Sequence, residues 1–389
     1  MPSIMWLVLD GGRLIINGRT RLATLSVEER TALQDAVVRL LADQSTEADV
    51  RRAMQTERGY DSELWSQLAE MGVVGLIIDE AFGGAGAGPL ELEAVMEAAG
   101  ASLLCSPLLA SSVVAAGLLQ ALTDEEAKAR LLPGLASGET IATAALTGDA
   151  GTWAQDAVSV TAAVAGDTPL LSGVASYVIH GQNADLLLVL ARADDELAVF
   201  EVDPKASGVS VAPLPTFDHT LRLARIVFER APGRRLQGPA WPAAQKAMNL
   251  ALVALAGEQA GGSQRCLGFT VDYAKNRYQF GRAIGSFQAI KHMAADLLLE
   301  TESAFSAARS AAAKLAEGAE DAEAAVSLAA FACAEAFTRT TADAVQMHGG
   351  IAFTWEHPAH LYLRRARADA QLFGTPAAHR ERFLQALGA

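Results

Sequence analysis

The sequence predicts an α+β protein in which helical domains at both ends of the chain enclose a β-rich middle. Residues 25–136 and 233–389 place apolar residues at the 3.6-residue spacing of amphipathic helices. Residues 137–232 instead contain short β-rich runs, such as LLLVLA and RIVFE, separated by turn residues such as Asp203-Pro204. Several short strands at close spacing favour an antiparallel barrel or sandwich. Residues 1–24 are left as an N-terminal arm with no clear packing partner.

Each helical domain has its own start and stop signals. In the first, helical spacing is clear over 27–43 and 63–75, and Pro89 stands where a proline is tolerated, in the first turn of a helix. In the second, long alanine-rich stretches at 243–275, 284–316 and 320–349 are followed by a short final helix near 376–387. The 389 residues allow two or three domains and a large buried core.

Composition excludes several classes of function. Lys and Arg total 31 against 45 Asp and Glu, and a net charge of −14 argues against nucleic acid as the main partner. The three cysteines are an odd number in no metal-binding spacing, which favours a cytoplasmic protein without a disulfide framework. The longest uncharged run, 101–123, contains Pro107 and polar residues and is typical of a buried helix, so no membrane span is expected.

Two common site motifs are incomplete. The glycine-rich run 83–88 would need a glycine at position 89 to form a dinucleotide-binding fingerprint, and that position holds Pro89. His357 and His360 share the spacing of one helical face, but nothing nearby completes a set of ligands, so we expect no metal site.

Two segments are more distinctive. The first, residues 277–288, lies between two long helices and presents Arg277, Arg282 and an amide at Gln288. The second, residues 346–356, contains a Gly-Gly pair whose exposed backbone N–H groups are suited to a diphosphate. Taken singly, each segment could equally be a solvated helix end or an ordinary C-cap.

Taken together, the two segments resemble those of the acyl-CoA dehydrogenase family of flavoproteins, and the resemblance extends from about residue 25 to the end. It implies an N-terminal helical domain, a middle β-barrel or sandwich and a C-terminal four-helix bundle. It also implies bound FAD, an acyl-CoA substrate that is desaturated between its α and β carbons, and electron transfer to an electron-transferring flavoprotein. The residues that the resemblance assigns to FAD are Arg277, Phe280, Gly281, Gln288, Gln346, Gly349, Gly350, Thr147 and Tyr177.

The catalytic base does not follow the pattern of the resembled family. The usual glutamate position holds Phe373, and the position that some members use instead, on the preceding long helix, holds Ala251. Glu258 is a carboxylate on that same helix, two turns further along and roughly on the same face. It is a candidate base, because buried carboxylates have raised pKa values and often accept protons. The alternative is a structural glutamate paired with an arginine, either Arg265 or one from another helix.

The flavin-binding residues are also divided. Those that reach across a subunit interface in the resembled family are present, whereas the segment 147–153 and the strand at Tyr177 have lost most of their usual residues. This asymmetry is similar to one subunit of actinobacterial α2β2 members, in which the other chain supplies the base. A homodimer or homotetramer with its own base, a flavin-binding homologue with different α-carbon chemistry and a non-catalytic homologue are the alternatives. Small residues on the long helix (Ala251, Ala254, Ala256, Gly257) would suit a bulky acyl chain.

Overall fold

The computed structural model describes residues 9–10, 13–14, 25–165, 168–194 and 196–388. The expected N-terminal arm therefore lies almost wholly outside the described residues; its described part is a pair of two-residue strands, β1 (Leu9–Asp10) and β2 (Arg13–Leu14), that pair antiparallel. The first helical domain follows. Its helices are α1 (Val27–Gln44), α2 (Glu47–Ala53), α3 (Ser62–Glu70), α4 (Pro89–Ala101), α5 (Ala116–Ala121) and α6 (Glu125–Ala136).

Helix starts in this domain follow local side-chain chemistry. Ser26 caps α1 by accepting from the backbone N–H of Glu29, whose side chain accepts from Ser26 in return. Such a capping box satisfies two N–H groups that the first helical turn leaves without partners. Pro89 occupies the first turn of α4, as its sequence position predicts.

The middle domain is one eight-stranded sheet. Its strands are β3 (Ala142–Ala145), β4 (Thr161–Ala165), β5 (Thr168–Ile179), β6 (Leu186–Ala193), β7 (Glu196–Val202), β8 (Val209–Pro213), β9 (Leu223–Pro232) and β10 (Arg234–Leu236). The order is β10-β7-β6-β4-β5-β9-β8, with β3 also beside β6. Pairing is largely antiparallel, as expected, but β3 and β4 each run parallel to β6.

Strand β6 shows that both faces of the sheet are covered. Leu187 and Val189 belong to the core on one face of the sheet, whereas Leu188 and Leu190 belong to the core shared with the helices. Because neighbouring residues of a strand point to opposite faces, burial of both sets requires cover on both sides. The continuous apolar sequence of this strand is the consequence.

The C-terminal domain is built on a 37-residue helix, α7 (Ala240–Asn276). Helices α8 (Gln288–Glu317), α9 (Ala322–His348), α10 (Ala359–Asp369) and α11 (Pro376–Ala386) pack around it, and the two-residue strands β11 (Tyr278–Gln279) and β12 (Arg282–Ala283) form a hairpin between α7 and α8.

Glycines let α7 and α4 approach closely. A Cβ atom at Gly100 of α4 would lie 1.9 Å from the carbonyl oxygen of Glu258, and one at Gly261 of α7 would lie 2.0 Å from that of Glu97. No side chain fits at such distances, so the backbones themselves are in contact. The N-terminal and C-terminal helical domains therefore share one core, to which both helices contribute.

Candidate active site

A large cavity lies where the sheet, α7 and the segment after α10 meet. Its volume is about 990 Å³. Its mouth carries exposed residues, among them Gln245 and Arg367, and its floor is formed by buried ones, among them Met248 and Leu252. A large concave site with apolar walls and few polar groups is the usual form of a small-molecule site.

Two aromatic rings touch in the wall of this cavity. Trp153, from the loop after β3, packs against Phe373, from the turn between α10 and α11, with ring centroids 4.6 Å apart. Phe373 is buried and adopts a left-handed backbone conformation, with φ of 60°. Such a conformation is uncommon for a bulky residue, and here the surrounding packing fixes it. By resemblance, Phe373 stands at the usual base position and Trp153 in the isoalloxazine-binding segment.

Thr147 and Tyr177, both expected to contact flavin, lie beside each other at a bulge in β5. The register between β5 and β9 shifts between Ala175 and Val178, and Tyr177 has a φ of 58°. The bulge directs the Tyr177 ring onto Gly151 in the cavity wall. Thr147 is buried, and its hydroxyl donates to the carbonyl of Ser176 at 2.5 Å. Tyr177 therefore lines the cavity, whereas the Thr147 hydroxyl is engaged by the backbone.

Glu258 lies in a buried cluster of charged groups around Arg365. Arg365 donates to the carboxylates of Glu258 and Asp218 and to the hydroxyl of Thr220. All of these side chains are nearly inaccessible to solvent. Burial, together with Glu258 and Asp218, raises the pKa of Asp369 well above its usual value. The same two carboxylates raise the pKa of Arg365, against the effect of burial, and keep it charged.

The cluster joins three parts of the chain. Asp218 and Thr220 come from the loop between β8 and β9, Glu258 from α7, and Arg365 and Asp369 from α10. The pairing partner of Glu258 is thus an arginine from another helix, which is one of the two arrangements that the structural alternative allowed. Sequence reasoning missed Arg365, Asp218 and Asp369. The local sequence gives a signal only for Arg365, which belongs to the arginine-rich run 364–367. This run does not reveal which of its arginines is buried.

The small residues of α7 do not line the large cavity. Ala251, Ala254 and Ala256 are fully buried, and Gly257 packs against the carbonyl of Glu93 on α4. The expectation that they leave room for a bulky acyl chain is wrong, because they serve close helix packing instead. The cavity face of α7 is formed by Trp241, Gln245, Met248 and Leu252.

The two distinctive segments lie together at the far end of α7 and α9. Tyr273, one turn before Arg277, stacks on His348 with ring centroids 4.4 Å apart, and Gly349 follows directly. Gly349 has a φ of 65°, and a Cβ atom at Gly349 or Gly350 would meet no atom within 4 Å. The Gly-Gly backbone is therefore open to a ligand or to another chain.

The other residues that the resemblance assigns to FAD in these two segments are exposed. Arg277, Gly281, Gln288 and Gln346 all face solvent, and the Phe280 side chain is 91% exposed. None of them lines the large cavity. The structure thus brings the two segments together with each other but leaves them apart from Thr147 and Tyr177, so the expected flavin-binding residues form two separate groups.

Within the described ranges, no three histidines, cysteines or carboxylates form a group that could hold a metal ion. His348 and His357 instead contact each other, with ring centroids 4.2 Å apart. Of the helices in the part of the chain that the structure describes, none combines the length and apolarity needed to cross a membrane.

Fold and site together define a protein of helical, sheet and helical domains with a large apolar cavity between the sheet and the C-terminal helices. Family models match over both helical domains: the acyl-CoA dehydrogenase N-terminal domain over residues 27–139 and the acyl-CoA dehydrogenase C-terminal domain over residues 240–388. The chain belongs to the acyl-CoA dehydrogenase family, whose members are oxidoreductases of lipid metabolism.

Several relatives match over almost the whole chain. The acyl-CoA dehydrogenase IpdE2 of Mycobacterium tuberculosis is 36% identical over 350 residues, which cover 90% of this chain and 94% of that protein. Among solved structures, the ChsE4-ChsE5 complex from Mycobacterium tuberculosis has a TM-score of 0.85 at 30% identity and covers 95% of this chain and 99% of the matched chain. The Tcur3481-Tcur3483 steroid ACAD has a TM-score of 0.83 at 30% identity, covering 93% and 98%.

Proposed function

We propose that this chain is the FAD-completing subunit of a heteromeric acyl-CoA dehydrogenase, in which a homologous partner supplies the catalytic base. The observation that carries the proposal is the contact between Trp153 and Phe373. Two of the similar structures, ChsE4-ChsE5 and Tcur3481-Tcur3483, bear the names of two chains, which supports a partner of the same fold.

The contact prevents an acyl chain from lying between the base position and the isoalloxazine segment of this chain. Dehydrogenation needs the acyl chain between a base on one side and the flavin on the other. Each van der Waals contact takes about 3.5–4 Å, so the two sides must stand about 7 Å or more apart. Here the residue at the base position and a residue of the isoalloxazine segment are 4.6 Å apart. Phenylalanine also has no group that accepts a proton.

The exposed segments at the far end of α7 and α9 have the chemistry for the other half of the cofactor. Arg277 supplies a positive charge for a diphosphate, and the exposed backbone at Gly349 and Gly350 leaves space for it, although the N–H of Gly349 itself donates to the end of α9. The exposed rings of Phe280 and Phe353 supply apolar surface for a partner chain or an adenine. These residues fit the diphosphate and adenine part of FAD, whereas the segment that would hold the isoalloxazine packs through Trp153 on the base position.

In this arrangement FAD supplies the hydride acceptor, and this chain's residues bind and orient it from outside the partner's cavity. Glu258 is assigned a structural role, because Arg365 holds its carboxylate in a buried ion pair. We further propose an electron-transferring flavoprotein as the electron acceptor and a bulky acyl-CoA as the substrate. The steroid ACAD among the similar structures supports a bulky acyl group.

The flavin content of purified protein tests the proposal. The chain is purified alone and with a co-expressed homologous chain that carries the family glutamate, and flavin absorbance is compared with protein concentration. We expect little flavin in the chain alone and one flavin per two chains in the complex. One flavin per chain in the chain alone would overturn the proposal and favour a self-sufficient homo-oligomer.

Matched variants sharpen the test. Arg277→Ala should lower the flavin content of the complex, since it removes the proposed diphosphate contact. Arg235→Ala removes an exposed arginine on β10, away from both segments, and should leave flavin unchanged. Anaerobic bleaching of the flavin by acyl-CoA distinguishes an active enzyme from a binding homologue, which would hold flavin without reducing it.

A further inference from the structure

The large cavity of this chain has no task in the proposed function, yet it is open and largely apolar. Behind the Trp153–Phe373 contact its floor is formed by buried side chains, including Leu221, Met248 and Leu252. A cavity of about 990 Å³ is at the upper end of the size of small-molecule sites. Collapse would bury this apolar surface, so a preserved cavity of this size points to an occupant.

One polar side chain on the floor is not used by the Arg365 cluster. His379 lies on α11 and is 5% exposed. Its ring packs over Gly374, where a Cβ atom would lie 3.1 Å from Nε2. Burial and, to a smaller extent, the positive charge of Arg382 lower the pKa of His379 to about 4, while a hydrogen bond to the Gly374 backbone acts in the opposite direction. The imidazole is therefore neutral at physiological pH; one ring nitrogen hydrogen-bonds the Gly374 backbone, which leaves the other for a ligand.

A small void behind His379 gives the ring a polar setting. The void measures about 10 Å³ and is lined by His379, Gln259 and Asp369. Gln259 Oε1 and Asp369 Oδ2 are buried and form no hydrogen bond with the described residues. A space of this size holds one water molecule, which would join these atoms. His379 thus borders the void on one side and the cavity on the other.

The mouth of the cavity has the opposite character. Arg367 and Gln371 are exposed there, one on α10 and one just after it. An occupant that satisfies the whole site has an apolar body, an anionic group near Arg367 and an oxygen that hydrogen-bonds at the floor. Its chemical class is that of a bulky, oxygenated carboxylic acid or its thioester.

We propose that the cavity of this chain is a non-redox binding site for such a molecule, with His379 as the residue that recognises the oxygen at its buried end. This proposal rests on one part of the proposed function, namely that dehydrogenation does not take place in this chain's own cavity. It does not depend on the flavin being shared with a partner.

Two steroid acids that differ by a single hydroxyl test the proposal. Lithocholate carries a hydroxyl at the ring end opposite its carboxylate, and 5β-cholanate lacks it. Binding to the purified chain is followed by tryptophan fluorescence, since Trp153 and Trp241 line the cavity. We expect lithocholate to bind about tenfold more tightly, the effect of one buried hydrogen bond. Equal affinities, or no binding of either acid, would overturn the proposal.

Variants of His379 assign the recognition. His379→Leu should remove the preference for lithocholate while 5β-cholanate still binds, and His379→Gln, which keeps a donor and an acceptor, should restore part of it. If His379→Leu does not fold, the glutamine variant and Arg367→Ala still decide. Arg367→Ala should weaken both acids equally. If His379→Leu still prefers lithocholate over 5β-cholanate, or if His379→Gln loses this preference as completely as His379→Leu does, His379 does not recognise the hydroxyl. The flavin content of the complex is measured separately, so failure of one proposal leaves the other distinguishable.

Discussion

The guanidinium of Arg365 donates a hydrogen bond to the carboxylate of Glu258, and both side chains are almost completely buried. Because Asp218 binds the same guanidinium at 3.0 Å, one cation holds two carboxylates inside the protein. This arrangement gives Glu258 a structural task that its sequence context alone does not reveal, and it connects the sheet to the helices behind the cavity.

Arg365→Met should lower the free energy of unfolding by about 3–5 kcal/mol, since it leaves two buried carboxylates without their cation. Urea denaturation measures the effect. Arg339→Met is a matched control, because Arg339 pairs with Glu300 on the surface, where such a pair contributes at most about 1 kcal/mol. Equal effects for the two variants would contradict the structural role. A Glu258→Gln variant that loses turnover without losing stability would instead assign the base to Glu258.

Glu93 should make stability depend on pH. Burial, together with the charge of Glu97, raises the pKa of Glu93 from 4.5 to about 7, while Arg309 and Arg30 act in the opposite direction. When an acid has a higher pKa in the folded state than in the unfolded state, the protein loses stability as the pH rises from the unfolded-state pKa to the folded-state pKa. Between about pH 4.5 and 7 the loss approaches about 3 kcal/mol. We expect Glu93→Gln to match wild type at pH 4.5 and to be more stable at pH 8; denaturant titrations at both pH values check this. A difference in stability between Glu93→Gln and wild type that is the same at both pH values would exclude the titration of Glu93 as its cause.

The glycines of α7 should differ sharply in their tolerance of alanine. Gly261→Ala places a Cβ atom 2.0 Å from the carbonyl of Glu97 and should destabilise by about 1–3 kcal/mol or more. Gly268, on the same helix, has open space, and Gly268→Ala should stabilise by about 0.5–1 kcal/mol through helix propensity. Thermal unfolding of the pair gives the comparison. If both variants gained stability, the α4–α7 contact described above would be wrong.

Thr147 should contribute to the stability of the fold and not to flavin binding. Thr147→Val leaves the buried carbonyl of Ser176 without its donor and should cost about 1–2 kcal/mol. Thr161→Val is the control, because that hydroxyl donates to the carbonyl of Ser172 at an exposed site, where water can replace it. Flavin content of the complex should not change in either variant. Loss of flavin in Thr147→Val at unchanged stability would restore the role that the family resemblance implies.

All three cysteines should resist thiol reagents in the native protein. Cys105, Cys266 and Cys333 are buried and unpaired. Burial raises the pKa of Cys105 to about 12 and raises the pKa values of the other two as well, so none carries a thiolate at neutral pH. Titration with Ellman's reagent should give almost no reaction before denaturation and three thiols after it. Rapid reaction of one thiol in the native state would show local opening around it.

Much of this protein is determined by its sequence because local patterns carry the information. Helical spacing, turn residues and the Pro89 start signal predict the order of helices and strands, and the turns around Arg277 and Gly349 identify the family. These features depend on residues close together in the chain. The loss of the usual base at Phe373 is equally visible from sequence alone, because a phenyl ring cannot accept a proton wherever it lies.

Only the tertiary structure decides which side chains meet. Arg365 and Glu258 are 107 residues apart, and nothing local distinguishes Arg365 from its exposed neighbour Arg367. The contact of Trp153 with Phe373 likewise joins the sheet domain to the turn between α10 and α11. The alanines on α7, which suggested space for a ligand, are buried in the core, and Gly257 packs against α4, because close backbone approach needs the same small side chains. Residue type limits what a position can do, and long-range packing selects which of those possibilities is used.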